Sequence, residues 1–225
     1  MVRITDDILY RVEKPSRYVG GELNEVIKDP KEVDIRFGFC FPDVYEVGMS
    51  HLGSRILYHV LNQRKDTYCE RVYAPWPDME KLMRENNIPL YALETKDPIN
   101  EFNFLAFTLQ YEMSYTNILN MLNMGGIPLR ASERTEKDPL VIAGGPCAYN
   151  PEPLYDIVDI FQLGEGEEGL NDLLDLYQKH KDNFNKEAYL REASHIPSVY
   201  IPSLYDVTYN EDGTIKEFIP KYDDV

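Results

Sequence analysis

Two patterns of apolar and polar positions alternate along the chain. Short runs of branched and aromatic residues end at proline or glycine with few polar residues inside them, which is typical of strands buried on both faces of a parallel sheet. Between them, apolar residues recur at helical spacing. The pattern predicts strands at residues 33–41, 68–73, 102–109, 140–143 and 159–163. It predicts helices at 51–62 and 186–193, and a third helix that Asp78 caps. A fourth helix is predicted to begin at Ser114 or Thr116 and to end at Gly125, and a fifth follows the turn at Gly164.

Strands that alternate with helices in this way are joined by right-handed crossovers and lie parallel. We therefore expect an α/β fold with a doubly wound, mostly parallel five-stranded sheet in the order 2-1-3-4-5. Near the C-terminus, residues 199–201, 205–209 and 215–219 predict a small antiparallel element with a hairpin turn at 210–214. The expected organisation is an N-terminal arm (1–32), the α/β domain (33–183), and a helix plus β-hairpin (184–225) that leads to a further domain.

Composition narrows the function. The 225 residues carry a formal net charge of −16 without a visible cluster of Lys and Arg, which disfavours direct binding of nucleic acid. No apolar run is long enough to cross a bilayer, and residues 1–7 lack the apolar core of a signal peptide, so we expect a cytoplasmic protein without a membrane partner. Cys40, Cys69 and Cys147 are too widely spaced for a disulfide framework or a metal knuckle, so no metal site is predicted in this chain.

The loops that follow the predicted strands define a candidate ligand site, because the carboxyl ends of parallel strands meet at one edge of the sheet. Glycines there would let the backbone approach a flat or phosphorylated ligand, and tyrosines offer stacking faces. A side chain introduced at Gly145 is expected to enter the ligand space. No general acid and base cluster is recognisable, so no catalytic residue is assigned. The candidate binding residues are Ser50, His51, Gly53, Gln110, Tyr111, Gly144, Gly145, Gly164, Glu165 and Gly166.

Each motif also has a structural interpretation. His51 stands where a helix begins, so it is either a cap or packing residue or a ligand contact. The segment GEGEEG at residues 164–169 matches a dinucleotide-binding fingerprint literally. It follows the last strand, and its carboxylates would repel a pyrophosphate, so we interpret it as a tight turn with acids at a helix N-terminus. Gly144 and Gly145 serve a sharp turn, close ligand approach, or both.

A family resemblance rests on four segments: FPDVYEVGMSHLG (41–53), LQYEMSYTN (109–117), GGPCAYNPEP (144–153) and GEGEE (164–168). Together they resemble the N-terminal part of cobalamin-binding-domain radical S-adenosylmethionine (SAM) proteins, and within that superfamily an iron-sulfur oxidoreductase group. The resemblance implies cobalamin as a cofactor. It also implies a partner in the same protein, a C-terminal barrel whose CxxxCxxC loop holds a [4Fe-4S] cluster and cleaves SAM.

That cluster loop is absent from this sequence, so the chain is expected to be an accessory domain that is not catalytic alone. The D-x-H-x-x-G motif of histidine-ligated cobalamin domains is also missing around His51. Other members of the superfamily lack this motif too, and the resemblance then implies either that cobalamin binds without a protein ligand or that the site is vacant. The expected function is therefore cobalamin binding, or a vacant equivalent of that site, together with docking on the catalytic barrel. The alternatives are a cofactor-free interaction module and a stand-alone nucleotide-binding enzyme.

Overall fold

A computed structural model describes residue 2 and residues 4–225 of the chain. It has a mostly parallel sheet and a separate antiparallel hairpin. The strands are β1 (Ile35–Phe41), β2 (Thr67–Tyr73), β3 (Phe104–Thr108), β4 (Leu140–Gly144), β5 (Ile160–Gln162), β6 (Val199–Tyr200), β7 (Tyr205–Tyr209) and β8 (Ile215–Pro220). The helices are α1 (Asp6–Leu9), α2 (Tyr45–Ser50), α3 (Leu52–Gln63), α4 (Pro77–Glu85), α5 (Tyr115–Met124), α6 (Gly166–His180) and α7 (Lys186–Ala193).

The main sheet confirms the predicted α/β class. Its strand order is β2-β1-β3-β4-β5-β6, in which the first five strands are parallel and keep the expected order 2-1-3-4-5. The expected number of five strands is wrong, because β6 pairs antiparallel with β5 through Phe161 and Tyr200 and adds a sixth strand. Residues 199–200 therefore belong to the main sheet, and only β7 and β8 form the separate C-terminal hairpin.

Two local predictions also need correction. Helix α4 begins at Pro77 after Trp76, so Asp78 lies in its first turn and is not its cap. There its carboxylate accepts hydrogen bonds from the backbone N–H groups of Met79 and Glu13. The residues between the predicted strand at 33–41 and the predicted helix at 51–62 were expected to form a loop, but Tyr45–Ser50 form the short helix α2. The end of α5 was predicted correctly, since Gly125 caps it and Gly126 takes the positive φ of 69° that glycine allows.

Helices cover both faces of the sheet and create two apolar layers. Alternate residues of β1 supply opposite layers: Phe37 and Phe39 pack with α3, α6 and α7, whereas Cys40 packs with α4 and α5. The chain turns in opposite directions after β1 and β3, which are neighbours in the sheet. A doubly wound sheet binds ligands at such a point, beyond the carboxyl ends of its strands.

The N-terminal residues pack against the domain although they form little regular structure. Ile8, Val12 and Tyr18 join the apolar layer of α4 and α5. Lys28 donates hydrogen bonds to the carbonyl oxygens of Asn62, Arg64 and Thr67, between the end of α3 and β2. The hairpin β7–β8 is largely exposed. The division into three domains stays a prediction.

Candidate functional site

A cavity of about 190 Å³ opens beyond the carboxyl ends of the strands, between α3, α6 and the sheet. It lies where the direction of winding changes, since β1, β3, β4 and β5 all contribute to its lining. Its apolar walls are formed by Phe39, Leu57, Ala106, Ile142 and Leu170. The fold therefore creates an apolar slot at the edge where the sequence places the candidate residues.

Most of the candidate residues line this cavity. They are His51, Gly53, Gln110, Gly144, Gly145, Gly164, Glu165 and Gly166. Ser50 and Tyr111 do not. The Ser50 hydroxyl donates within α2 to the carbonyl oxygen of Glu46, and the Tyr111 hydroxyl donates to the carboxylate of Asp43 at 3.0 Å. Contact with a ligand stays a prediction for all ten residues.

His51 is the N-cap of α3, which confirms the interpretation of this residue as a helix cap. Its Nδ1 accepts a hydrogen bond from the backbone N–H of Ser54 at 3.1 Å and lies 2.8 Å from the Ser54 hydroxyl. The ring also packs against Phe41, with centroids 5.4 Å apart. Because Nδ1 satisfies an N–H group at the start of the helix, the imidazole is held by the fold itself.

Gly145 makes the sharp turn after β4. Its φ of +105° is strained for any residue with a side chain, and a Cβ there would lie 3.0 Å from the carbonyl oxygen of Leu109. A side chain at Gly145 would thus first meet the backbone of the neighbouring loop, and the expectation that it also enters the ligand space stays a prediction. At Gly144 a Cβ would be 3.4 Å from the carbonyl oxygen of Gln162, an ordinary contact.

The acidic glycine segment is a strand-to-helix turn, as interpreted from the sequence. Gly164 adopts a φ of +94°, α6 begins at Gly166, and Glu167 and Glu168 occupy the first turn of the helix. Carboxylates there interact favourably with the helix dipole. Glu165 and Glu167 line the cavity, and no lysine or arginine does so in the part of the chain that the structure describes. The mouth of the cavity is therefore unfavourable for a phosphate group.

Several lining residues were missed because they resemble ordinary core residues. Leu57 and Ile142 fit the apolar patterns of α3 and β4, and nothing in the sequence separates them from neighbours that are fully packed. Gln162, in contrast, could have been recognised from the sequence. It is a polar residue inside the apolar run Ile160–Leu163, it is only 4% exposed, and it lines the cavity. A buried polar residue in such a strand is unusual enough to mark a site.

The cysteines lie apart from the cavity. Cys40 and Cys69 belong to opposite apolar layers, and burial raises the pKa of both thiols. Cys147 is half-buried in the loop after β4. Among residue 2 and residues 4–225, no group of three or more His, Cys, Asp and Glu residues is arranged to hold a metal ion. Over the same residues, none of the helices has the length and apolar character required to cross a membrane.

The fold and cavity define a doubly wound α/β domain with a small, largely apolar opening at its switch point. A family model described as radical SAM proteins, N-terminal, matches residues 53–202, about two thirds of the chain. The chain therefore belongs to this family of radical SAM N-terminal domains.

One curated relative supports this assignment without adding an activity. The chain is similar to the uncharacterized protein MJ0966 of Methanocaldococcus jannaschii, with 26% identity over 128 residues. The match covers 56% of this chain and 23% of the relative, so the chain corresponds to about a quarter of that longer protein. No solved structure matches the chain significantly.

Proposed function

We propose that this domain is the cobalamin-binding accessory domain of a radical SAM enzyme, and that its cavity takes the flat lower base of the cofactor. The observation that supports the proposal best is the apolar slot between α3, α6 and the sheet, at the switch point of the fold. The family match supplies the radical SAM context. The resemblance of the loop motifs is the reason for naming cobalamin as the cofactor. The cytoplasmic location stays a prediction.

The size and lining of the cavity fit one part of this cofactor. Pockets that enclose a whole drug-sized ligand occupy about 300–1,000 Å³, so a cavity of about 190 Å³ holds only a flat ring of a larger molecule. Phe39, Leu57 and Ile142 would contact the ring faces, and Gly144 leaves the opening free of a side chain. Because carboxylates stand at the mouth, the phosphate of the cofactor would have to lie outside the cavity.

The proposal does not require His51 to coordinate cobalt, because this residue already caps α3 through Nδ1. The residues of this chain would bind and orient the lower base and exclude water from it. When bound, cobalamin would supply methyl transfer or rearrangement chemistry to the full-length enzyme, as the family resemblance implies. The [4Fe-4S] cluster and SAM belong to the catalytic domain.

The second part of the proposal is docking of the catalytic domain at the same edge of the sheet. Exposed apolar and aromatic side chains follow the carboxyl ends of four strands there: Val47, Trp76, Tyr111, Met113 and Tyr149. Met113 is 85% exposed and Tyr149 is 73% exposed. Apolar residues clustered on one edge are typical of an interface. A docking module without cofactor is the alternative function, and the small volume and acidic mouth of the cavity favour it.

A visible absorption titration with hydroxocobalamin and methylcobalamin, followed by desalting, tests the proposal. We expect the 225-residue chain to retain corrin absorbance. The variant Leu57→Phe, which fills the cavity from α3, should weaken retention at least tenfold. The control Ile56→Phe changes the neighbouring residue, which is 40% exposed and does not line the cavity, and should retain cobalamin like the unchanged chain.

Two results would contradict cobalamin binding in this cavity. The first is the absence of retained corrin at millimolar cobalamin, which would favour the cofactor-free docking module. The second is equal retention by Leu57→Phe and Ile56→Phe, which would place the cofactor elsewhere. Thermal unfolding of each variant checks that a loss of retention does not come from a loss of folding.

A further inference from the structure

One residue of the cavity lining carries a buried polar atom that has no hydrogen-bond partner in the described part of the chain. Gln162, at the end of β5, lines the cavity and is 4% exposed. Its Nε2 donates to the carbonyl oxygen of Glu165 at 3.3 Å, but its Oε1 has no partner in the described part of the chain. Buried side-chain oxygens are nearly always paired in folded proteins, and an unpaired one is costly. Oε1 of Gln162 could therefore accept a hydrogen bond from a donor outside the described part of the chain.

Helix α6 leaves room for the amide of Gln162. A Cβ at Gly169 would lie 2.4 Å from Oε1 and 2.5 Å from Nε2, so only glycine permits this packing. Glycine inside a helix is unfavourable relative to other residues, and α6 accepts it in its first turns. The terminal torsion of a glutamine is soft, so a small rotation of the amide next to Gly169 would turn Oε1 toward a bound ring.

The surroundings favour a ligand that donates hydrogen bonds. Glu165 and Glu167 add carboxylate oxygens to the lining, and neither lysine nor arginine contributes to it within the described residues. One of the two N–H groups of the Gln110 amide is already used, because Nε2 donates to the Thr108 hydroxyl. Together with the apolar walls, these groups suit a flat aromatic ring whose edge carries an N–H or O–H group.

We propose that Gln162 is a specificity-determining residue that accepts a hydrogen bond from the edge of a bicyclic heteroaromatic base. This inference rests on the proposed function, in which the cavity holds the lower base of a cobamide, the class of cofactor that includes cobalamin. It predicts selection of cobamides whose lower base is adenine or 5-hydroxybenzimidazole, since these bases carry an amino or hydroxyl donor. The 5,6-dimethylbenzimidazole of cobalamin carries only methyl groups at that edge and would leave Oε1 unpaired.

Equilibrium dialysis of the 225-residue chain against the three cobamides measures this selectivity. We expect the adenine and 5-hydroxybenzimidazole cobamides to bind about tenfold more tightly than cobalamin, a difference of about 1.4 kcal/mol. The variant Gln162→Leu keeps the side-chain volume but has no acceptor, so it should bind all three with similar affinity. The variant Gly169→Ala keeps Gln162 and displaces its amide, and should also reduce the preference.

The free bases provide a second arm that does not depend on the corrin. Ligand-observed NMR with adenine, 5-hydroxybenzimidazole and 5,6-dimethylbenzimidazole should show the same order of affinity, and Gln162→Leu should remove it. Equal binding of the three cobamides by the unchanged chain would overturn the inference and leave the proposed function intact. If no cobamide is retained, the proposed function fails. The free bases then test the inference about Gln162 on its own. A preference among the bases that depends on Gln162 supports the inference, and equal binding of the three bases overturns it.

Discussion

Beneath the N-terminal arm, buried charges have close partners of opposite charge, whereas the cavity at the carboxyl ends of the strands contains a buried amide oxygen that has none. The first region is the arm cluster, formed by Glu22, Arg36, Glu70, Arg71 and Glu94. Arg71 donates to Glu94 through Nε at 2.6 Å and through its backbone N–H at 2.7 Å, and it pairs with Glu22 at 3.2 Å.

The second buried acid of the arm cluster is satisfied in the same way. Arg36 donates to Glu70 through Nε and Nη2, and the Thr95 hydroxyl donates to the other carboxylate oxygen. The side chains of Glu70 and Glu94 are both fully buried. Removing charges from water is costly, and only such complete sets of partners compensate for it. The arm cluster therefore has a structural role, because the carboxylates of Glu70 and Glu94 are already paired within the domain and are buried away from any ligand.

The cavity differs in each of these respects. Its lining combines apolar side chains, glycines and polar residues that include His51, Glu165, Glu167 and Gln162, and the Oε1 of Gln162 is unpaired. The comparison shows that burial of a polar group does not by itself indicate function. The informative feature is an incomplete set of hydrogen bonds beside an open space.

The largest effect is expected when one partner of the arm cluster is removed. Arg71→Leu leaves Glu94 buried without its counter-ion and should lower the free energy of unfolding by about 3–5 kcal/mol, measured by urea denaturation at pH 8. The control Arg130→Leu breaks a pair with Asp156 whose members are 61% and 46% exposed. It should cost no more than about 1 kcal/mol. Losses of similar size in both variants would contradict the structural role of the arm cluster.

The matched change in the cavity is Gln162→Leu, which removes an unpaired acceptor and the long hydrogen bond from Nε2 to the Glu165 carbonyl oxygen (3.3 Å) instead of a paired charge. Replacing such a group by an apolar one of similar shape is nearly neutral or stabilising. We therefore expect its unfolding free energy to change by less than about 1 kcal/mol in the same urea series. A loss as large as that of Arg71→Leu would mean that the amide of Gln162 has a structural role after all.

An effect smaller than that of Arg71→Leu but larger than that of Gln162→Leu is expected from pH. Burial raises the pKa of Glu94 to about 7, although the Arg71 guanidinium opposes that rise. The folded state thus holds the proton more tightly than the unfolded chain, whose glutamate titrates near 4.5. The resulting stabilisation is complete below about pH 4.5 and is lost as the pH rises through 7, by up to about 3 kcal/mol.

Urea denaturation of the unchanged chain and of Glu94→Gln between pH 5 and pH 8 isolates this contribution. The amide of the variant does not ionise in this range, so the unfolding free energy of the unchanged chain should fall relative to that of the variant as the pH rises. A difference that stays constant, or that grows in favour of the unchanged chain with rising pH, would show that burial does not raise the pKa of this carboxyl.

The order of the parallel strands was predictable because strands and helices alternate, and β1, β4 and β5 were readily located as short apolar runs that end at proline or glycine. Helix α2 was not, because Pro42, Asp43 and Gly48 are typical of loops. The structure explains Gly48 by packing, since a Cβ there would lie 2.3 Å from the Tyr73 ring. Strand β6 was also assigned to the wrong sheet. It has two residues, which is too few for a periodic pattern to show its partner.

The glycine loops of the candidate site were predictable because they follow strand ends, but the walls of the cavity were not. Ala106 and Ile142 occupy positions that any core strand would fill with apolar residues, and only the space beside them makes them part of a site. That space depends on how α3 and α6 pack over the sheet, which no local pattern encodes. Gly145 shows the same limit, because its clash is with the backbone of Leu109, which is distant in sequence.

The smallest effect is expected at His51, where the fold and the cavity meet. Asparagine also accepts a hydrogen bond at an N-cap, so His51→Asn should change the unfolding free energy by less than about 0.5 kcal/mol, whereas His51→Ala should cost about 1 kcal/mol. Retention of cobalamin should be the same in His51→Asn as in the unchanged chain, because Nδ1 serves the helix. If His51→Asn instead keeps its stability but loses the corrin absorbance on desalting, the imidazole contacts the cofactor as well as capping α3.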